Sequence, residues 1–364
     1  MKAVYEIMHG EKRVARIDMQ GRCEVYEFQF MPFNLYLEET KENEADVDLL
    51  VNNVTNFYYW CASRILTLDR RYAKEILNSI GAAQAVTDRE RAQIALTYHC
   101  LSLTDLFWVR REGEDTAFGE INLYDNHLDN AFVDVSLRGK QITVQNDSLI
   151  RDLSTNGCFP KAWIRTETGF RLLKDGDREF VENEILASKV CQCFRCDQVK
   201  YEAAEYDGEK VSSSEIMTSK KYSIVSREAF EIYAVNHEID AMKYILELDG
   251  YSYHMMNILD YLTGNTDRHW GNWGLLVDNS TNRPVSLHPL MDFNQAFHSY
   301  EDLEGANCQT VFPERMTQRE AAVRAAEQAG LNQSAEIRRD WFSGREKEYE
   351  MLMRRLDILK KAEK

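Results

Sequence analysis

Positive charge is in short supply: 44 Lys and Arg face 60 Asp and Glu, for a formal charge of −16. Coating nucleic acid takes a net or local basic surface, so binding nucleic acid by itself is not expected and only a local basic pocket stays open. Long apolar runs are missing too. The most apolar stretch, "IALTYHCLSLTDLFWV", is broken by His99 and Asp105, and "MKAVYEIMHGEKRVARIDMQ" lacks the apolar centre of an export signal. The expectation is a soluble chain with no membrane partner. Eight cysteines spread over 364 residues are too sparse for a disulfide scaffold and fit a reducing cytoplasm. There is no internal repeat and no low-complexity linker. Neither GxGxxG nor a GKS/T loop occurs, which disfavours a dinucleotide site and a P-loop.

What is there is the composition of a globular protein, 44 % hydrophobic and 29 % charged, with length for two or three cores. Residues 1 to 40 alternate with period two in "AVYEIM", "RVARIDM" and "CEVYEFQF", predicting a small antiparallel sheet. From about 45 to 110 the spacing turns helical. Asp69 is positioned to cap a helix that stops at Gly81, and Thr87 with Glu90 forms a capping box. Residues 105 to 150 return to mixed polar and aromatic segments. A second sheet-like block starts near 160: "KAWIRTE", "GFRLLKDG", a helix over "REFVENEILASKVCQCF", then strand-like "QVKYEAAEYDGEKVSSSEIM". Beyond 223 the chain reads as mostly helical, first through "REAFEIYAVNHEIDAMKYILELD", ended by the turn "DGYS", then "SYHMMNILDYLTGN", ended by Gly264 and Asn265. Thr317 and Glu320 box the start of "QREAAVRAAEQA", Gly330 stops it, and a last amphipathic helix closes the chain.

The chemistry concentrates in "TGNTDRHWGNWGLLVD", a loop between a helix and a strand. Transfer of a phosphoryl group from ATP needs a carboxylate to orient and accept the proton of the attacking hydroxyl. It also needs two oxygen ligands for Mg²⁺ and a cation on the phosphates. Asp267 supplies the base, Asn272 an amide oxygen, and Asp292 in "PLMDFN" a metal carboxylate at the end of the following strand pair. Lys174 ends a strand and Glu184 sits on the helix after it, the order in which a glutamate orients a phosphate-binding ammonium. Upstream, "DLSTNGCFPKAW" places Asn156 and Gly157 in a tight turn whose N–H groups can approach phosphate. "CQCFRC" carries Cys191, Cys193 and Cys196 at a spacing that suits zinc, but no fourth ligand lies nearby and helical spacing turns Cys191 and Cys193 to different faces.

"GNTDRHWGNWGLLVD" followed by "LMDFNQAF" resembles the catalytic segment of the HipA-like serine/threonine kinases. The resemblance implies an α+β, bilobal protein-kinase-like fold with a small N-terminal β-rich and helical extension. It divides the chain into an N-terminal subdomain (1–145), an N-lobe with phosphate loop and nucleotide lysine (146–222) and a helical C-lobe with the catalytic loop (223–364). It implies Asp267 as catalytic aspartate, Asn272 and Asp292 as metal ligands, and Arg268 and His269 as braces of the loop. Lys174 becomes the nucleotide lysine, Glu184 its helix partner and "STNGCFPKAW" the phosphate-covering loop. In that loop Ser154 or Thr155 matches the position of a serine that members of the family phosphorylate, although "STNGCFPK" departs from the usual S-G-x-Q-x-K. An adenine-meeting hinge near Ser214 to Thr218 completes the set. The implied cofactors are ATP and Mg²⁺. The implied partners are a protein with a Ser or Thr hydroxyl, such as the translation factors that toxins of this family modify, and an antitoxin-like protein. A small-molecule or lipid kinase of the same fold, and an inactive nucleotide-binding module, are the alternatives.

Overall fold

The computed structural model describes residues 3–41, 46–65, 87–126, 161–167, 169–175, 177–206, 208–298 and 300–363. The alternating segments at the N-terminus pair antiparallel as β1 (Val4–His9) and β2 (Lys12–Asp18), with Ile7 opposite Ala15, and β3 (Cys23–Val25) follows along β2. "CEVYEFQF" is not one strand: pairing stops at Val25, and Phe28–Phe30 form a 3₁₀ turn. The reason is local. The amides of Tyr26 and Glu27 both donate to the Val14 carbonyl, at 2.8 and 3.1 Å, which ends the ladder. The Asp46 carboxylate caps α1 (Val47–Ala62), and α2 (Asp88–Thr97) opens on the Thr87/Glu90 capping box expected from sequence. The proposed cap at Asp69 and stop at Gly81 lie outside the described residues. A strand the sequence did not announce, β4 (Phe107–Arg111), completes the sheet in the order β3-β2-β1-β4, and the short α3 (Phe118–Ile121) follows. Phe57, Trp60, Tyr98 and Trp108 are wholly buried in its core.

The second sheet is built from β5 (Lys161–Thr166), β6 (Gly169–Lys174), β7 (Glu202–Tyr206) and β8 (Glu209–Glu215), ordered β5-β6-β8-β7, with α4 (Arg178–Cys191) packed against β8. Antiparallel register sets Lys174 opposite Lys161 on one side and Ser212 on the other. After an extended linker the chain enters β9 (Tyr222–Ser226), which begins the stretch read from sequence as mostly helical beyond 223. Its pairing partner is β10 (Gly274–Asp278), about fifty residues away, so period two over five residues could not reveal it. Gly274 makes the pairing feasible, because a Cβ there would fall 2.0 Å from the Val225 carbonyl oxygen. β11 (Arg283–Leu287) closes this sheet on the other side of β10.

The helix expected over 227 to 249 is two. α5 (Arg227–Asn236) ends where Glu238 adopts φ 54°, and Asp240 caps a new helix, α6 (Ala241–Thr263). Nor does "DGYS" stop α6. Asp249 leaves helical geometry and its carboxylate accepts from Ser252 N–H and Leu287 N–H, so the helix kinks onto β11 and continues. Gly264 then ends it in the left-handed region, φ 62°, where a Cβ would also meet the Tyr300 ring at 2.4 Å. The Thr317/Glu320 box opens α7 (Gln318–Ala329), and α8 (Glu346–Ala362) is the last helix. Tyr261, Trp273, Phe293 and Phe342 fill this second core.

The N-terminal block touches both of the others. Arg165 of β5 donates to the carbonyls of Leu123, Tyr124 and Asn126, while Thr218 of the linker donates to Leu103 O at 2.5 Å. Asn282 at the β10–β11 turn donates to the Gln29 and Met31 carbonyls. Among the described residues no helix is long and apolar enough to cross a membrane.

Candidate active site

Lys174, the last residue of β6, is buried, and its ammonium donates to Glu184 Oε1 at 2.6 Å and to Asp292 Oδ1 at 2.9 Å. Three segments separated by up to 118 positions therefore converge on one nitrogen. Ser212, opposite Lys174 on β8, donates to the other oxygen of Glu184 at 2.5 Å, so both carboxylate oxygens are held. The Tyr201 ring lies 5.0 Å below the ammonium. Its hydroxyl accepts the Asp292 N–H at 3.1 Å. That bond steadies a backbone that needs it, because Asp292 stands at φ 61°, a region side chains other than glycine seldom occupy.

The loop after Gly264 is organised by Arg268, which is 3 % exposed. Its Nε and Nη2 clasp both oxygens of Asp260, each at 2.9 Å, from the preceding helical turn. Its Nη1 donates to the Asn272 carbonyl at 2.8 Å and the Met291 carbonyl at 2.5 Å, tying the loop's end to the segment that carries Asp292. That segment lies beyond β11, which ends at Leu287, and not at a strand end as the sequence suggested. Asn265, fully buried, donates to Asp260 Oδ1 at 3.0 Å, and its carbonyl accepts from Gln318 on α7 at 2.6 Å. The result is a braced loop with Asp267 at its open side.

Asn272 donates its amide N–H to the Asp267 carbonyl at 2.8 Å, which ties the Asp267 backbone to the loop's end. An amide oxygen from Asn272 and the carboxylate of Asp292 form the hard, all-oxygen donor pair that suits Mg²⁺. His269 is exposed, with Nδ1 accepting from Gly271 N–H at 3.0 Å and Nε2 3.9 Å from Asp267 Oδ1.

The two aspartates titrate in opposite directions. Burial pushes the Asp267 carboxyl above its ordinary value; His269 and Arg268 pull against that shift and Asp292 adds to it. Burial would do the same to Asp292, but Lys174, Lys161 and Arg268 together outweigh it and hold that carboxyl at about 2. Burial disfavours the Lys174 ammonium, yet Asp292 and Glu184 more than reverse this, so the nitrogen stays charged. A permanently ionised Asp292 suits a cation, and a carboxylate of higher basicity suits proton acceptance.

Sequence reasoning singled out Lys174, Glu184, Asp267, Arg268, His269, Asn272 and Asp292, and the fold brings them together. Ser154, Thr155, Asn156 and Gly157 lie outside the described residues. The residues of the expected hinge, Ser214 to Thr218, occupy the end of β8 and the linker to β9. Cys191 and Cys193 are buried and Cys196 partly so. Among the described residues no group of three His, Cys, Asp or Glu is arranged to hold a metal. Asp260, Asn265 and Tyr201 were missed. Asp260 had a signal, a carboxylate inside the apolar run "MMNILDYL" that burial would make costly without a cation partner; Tyr201 had none.

No family model and no curated protein matches the chain. Among solved structures, the Shewanella oneidensis MR-1 toxin–antitoxin system of HipA, HipB and its operator DNA matches over 99 % of this chain and 99 % of that chain, with TM-score 0.58 and 11 % identity. A Helicobacter pylori proinflammatory kinase, CtkA, matches over 57 % of this chain and 91 % of that chain, with TM-score 0.45 and 13 % identity. What the chain shares with HipA along nearly its whole length is the mixed α+β, HipA-like kinase fold.

Proposed function

We propose that this chain, with its HipA-like kinase fold, is an ATP- and Mg²⁺-dependent phosphotransferase that moves the γ-phosphoryl group of ATP to a Ser or Thr hydroxyl of a protein. The observation that carries the reading is the Lys174 ammonium held between Glu184 and Asp292, with the Asp267–Asn272 loop bonded through Arg268 to Met291, the residue before Asp292. A purely structural ion pair has no use for a second, more basic carboxylate at the open side of that loop.

In this reading Lys174 binds phosphate oxygens and Glu184, itself fixed by Ser212, aims the ammonium. Asn272 and Asp292 would hold the metal, which when bound would neutralise charge on the phosphates. Asp267 orients the acceptor hydroxyl and takes its proton as the new O–P bond forms and the bond from the γ-phosphorus to ADP breaks. Arg268 does not touch substrate; it fixes the positions of Asn272 and Asp292. The finer assignments, Ser154 or Thr155 as an internal acceptor and an antitoxin-like partner such as HipB is for HipA, belong to the same proposal, as does a cytoplasmic setting.

Titration calorimetry tests the nucleotide half. The parent should bind ATP more tightly with Mg²⁺ than without, Lys174→Met should lose at least tenfold in affinity under both conditions, and Asp292→Asn should lose only the magnesium-dependent part. Equal affinities in all three proteins would refute the site.

A further inference from the structure

A cleft of about 510 Å³ opens directly beside the catalytic loop. Its size falls in the roughly 300–1,000 Å³ range of ligand-binding clefts. One wall is His269 and Trp270, the two residues after Arg268, and His269 Nε2 is 3.9 Å from the Asp267 carboxylate. A group seated in the cleft is therefore a neighbour of the group that takes the acceptor's proton.

The opposite wall comes from residues 307–316. It is preformed, because Cys308 N–H bonds Met316 O at 2.8 Å, Thr310 Oγ1 bonds Asn257 Oδ1 at 2.5 Å, and Gln309 Nε2 bonds Thr266 O at 3.2 Å. On that wall Phe312 stands 61 % exposed, its ring edge-on to Trp270 at a centroid distance of 6.2 Å. The buried Arg227 stacks behind Trp270 at 4.5 Å and keeps that ring from collapsing into the core. Met316 and Cys308 add polarisable surface, and Asn307, Gln309, Glu314 and Arg315 make the rest of the lining polar. Glu314 is already paired with Arg324.

An exposed phenylalanine packed edge-on to a tryptophan beside a catalytic loop is a surface that gains by covering. The apolar contact surface is the Phe312–Trp270 pair, while Asn307 and Gln309 in the same lining offer amide groups of the kind that pair with a polypeptide backbone. The charge of −16 disfavours an acidic partner and favours a basic one. We propose that this cleft receives a large apolar side chain, aromatic by preference, flanking the acceptor Ser or Thr in a neutral or basic polypeptide segment. The inference rests on the phosphotransferase reading and names its acceptor class.

The test is equilibrium binding, by fluorescence anisotropy, of a positional-scanning set of short Ser-containing peptides to the full chain with Mg²⁺ and a non-hydrolysable ATP analogue. Peptides with Phe, Trp, Leu or Met near the serine should bind roughly tenfold tighter than those with Ala or Asp, a difference of about 1.4 kcal/mol. Phe312→Ser should reduce the preference to about twofold or less, and Phe312→Leu should retain most of it. A urea midpoint equal to that of the parent checks that each variant keeps its fold. Absence of the preference, its persistence in Phe312→Ser, or binding only of small hydroxyl compounds would overturn the inference. Because binding is read without turnover, an inactive chain that still prefers aromatic peptides sinks the transfer reading alone, and phosphate transfer without that preference sinks this one alone.

Discussion

Replacing Asp260 by Asn attacks the brace under the catalytic loop without touching any group that would meet substrate. Asp260 receives both Nε and Nη2 of Arg268 at 2.9 Å and also the Asn265 amide at 3.0 Å, with side-chain exposures of 3 % for Arg268 and 6 % for Asp260. The amide that replaces the carboxylate keeps one acceptor, points an N–H at an N–H, and leaves a buried guanidinium without its counter-charge. Losing one partner of such a pair costs about 3–5 kcal/mol. Against a whole-domain stability of about 5–15 kcal/mol the protein stays folded but unfolds at a clearly lower urea concentration. The double variant Asp260→Leu/Arg268→Met removes both charges and should be far more stable than the two single losses summed, giving a coupling energy of at least about 2 kcal/mol. Nucleotide binding should weaken in both, since Arg268 also holds the carbonyls of Asn272 and Met291. A shift of less than about 1 kcal/mol for Asp260→Asn, or additive single and double losses, would show that the pair does not organise the loop.

Two further outcomes follow from the same geometry. His269 lowers the basicity of Asp267, and on the proposed reading Asp267 accepts the proton only when ionised, so activity should rise with pH along an acid limb above the ordinary Asp value. His269→Gln should move that limb to higher pH in a kcat/KM profile, and a limb that stays or moves down contradicts the assignment. Tyr201→Phe keeps the ring under Lys174 but orphans the Asp292 N–H, which should cost about 1–3 kcal/mol in urea unfolding and speed hydrogen exchange at that amide. An unchanged exchange rate would mean that the hydroxyl is not what holds Asp292 in its left-handed conformation.

The parts of the molecule that could be read from sequence are those whose cause is local. The Thr87 and Thr317 capping boxes each lie within four residues, and the structure has both. The loop carrying Asp267 and Asn272 is equally compact, and the strand–helix order around Lys174 and Glu184 spans ten positions. What escaped depends on pairing at a distance. β4 and β9 are five-residue strands whose partners lie far away in the chain, and each looks like a fragment of its surroundings until the sheet is assembled. Tyr201 acquires its task only because Leu290 pairs with Asp197 and Val199, which brings Asp292 back across 91 positions. The break before Asp240 was hidden for the opposite reason. The apolar spacing of the two helices runs on through it, and only Glu238 at φ 54° marks the chain's turn.

The measurement closest to the central claim is incubation of the full chain with Mg²⁺ and γ-labelled ATP beside Asp267→Asn, with mass spectrometry locating any phosphate on the protein. The account predicts label on a Ser or Thr hydroxyl in the parent. In Asp267→Asn transfer should fall by about 10² or more while ATP still binds, because only the proton acceptor is lost. Equal transfer by both proteins, or ATP bound by the parent with neither transfer nor hydrolysis, would contradict it.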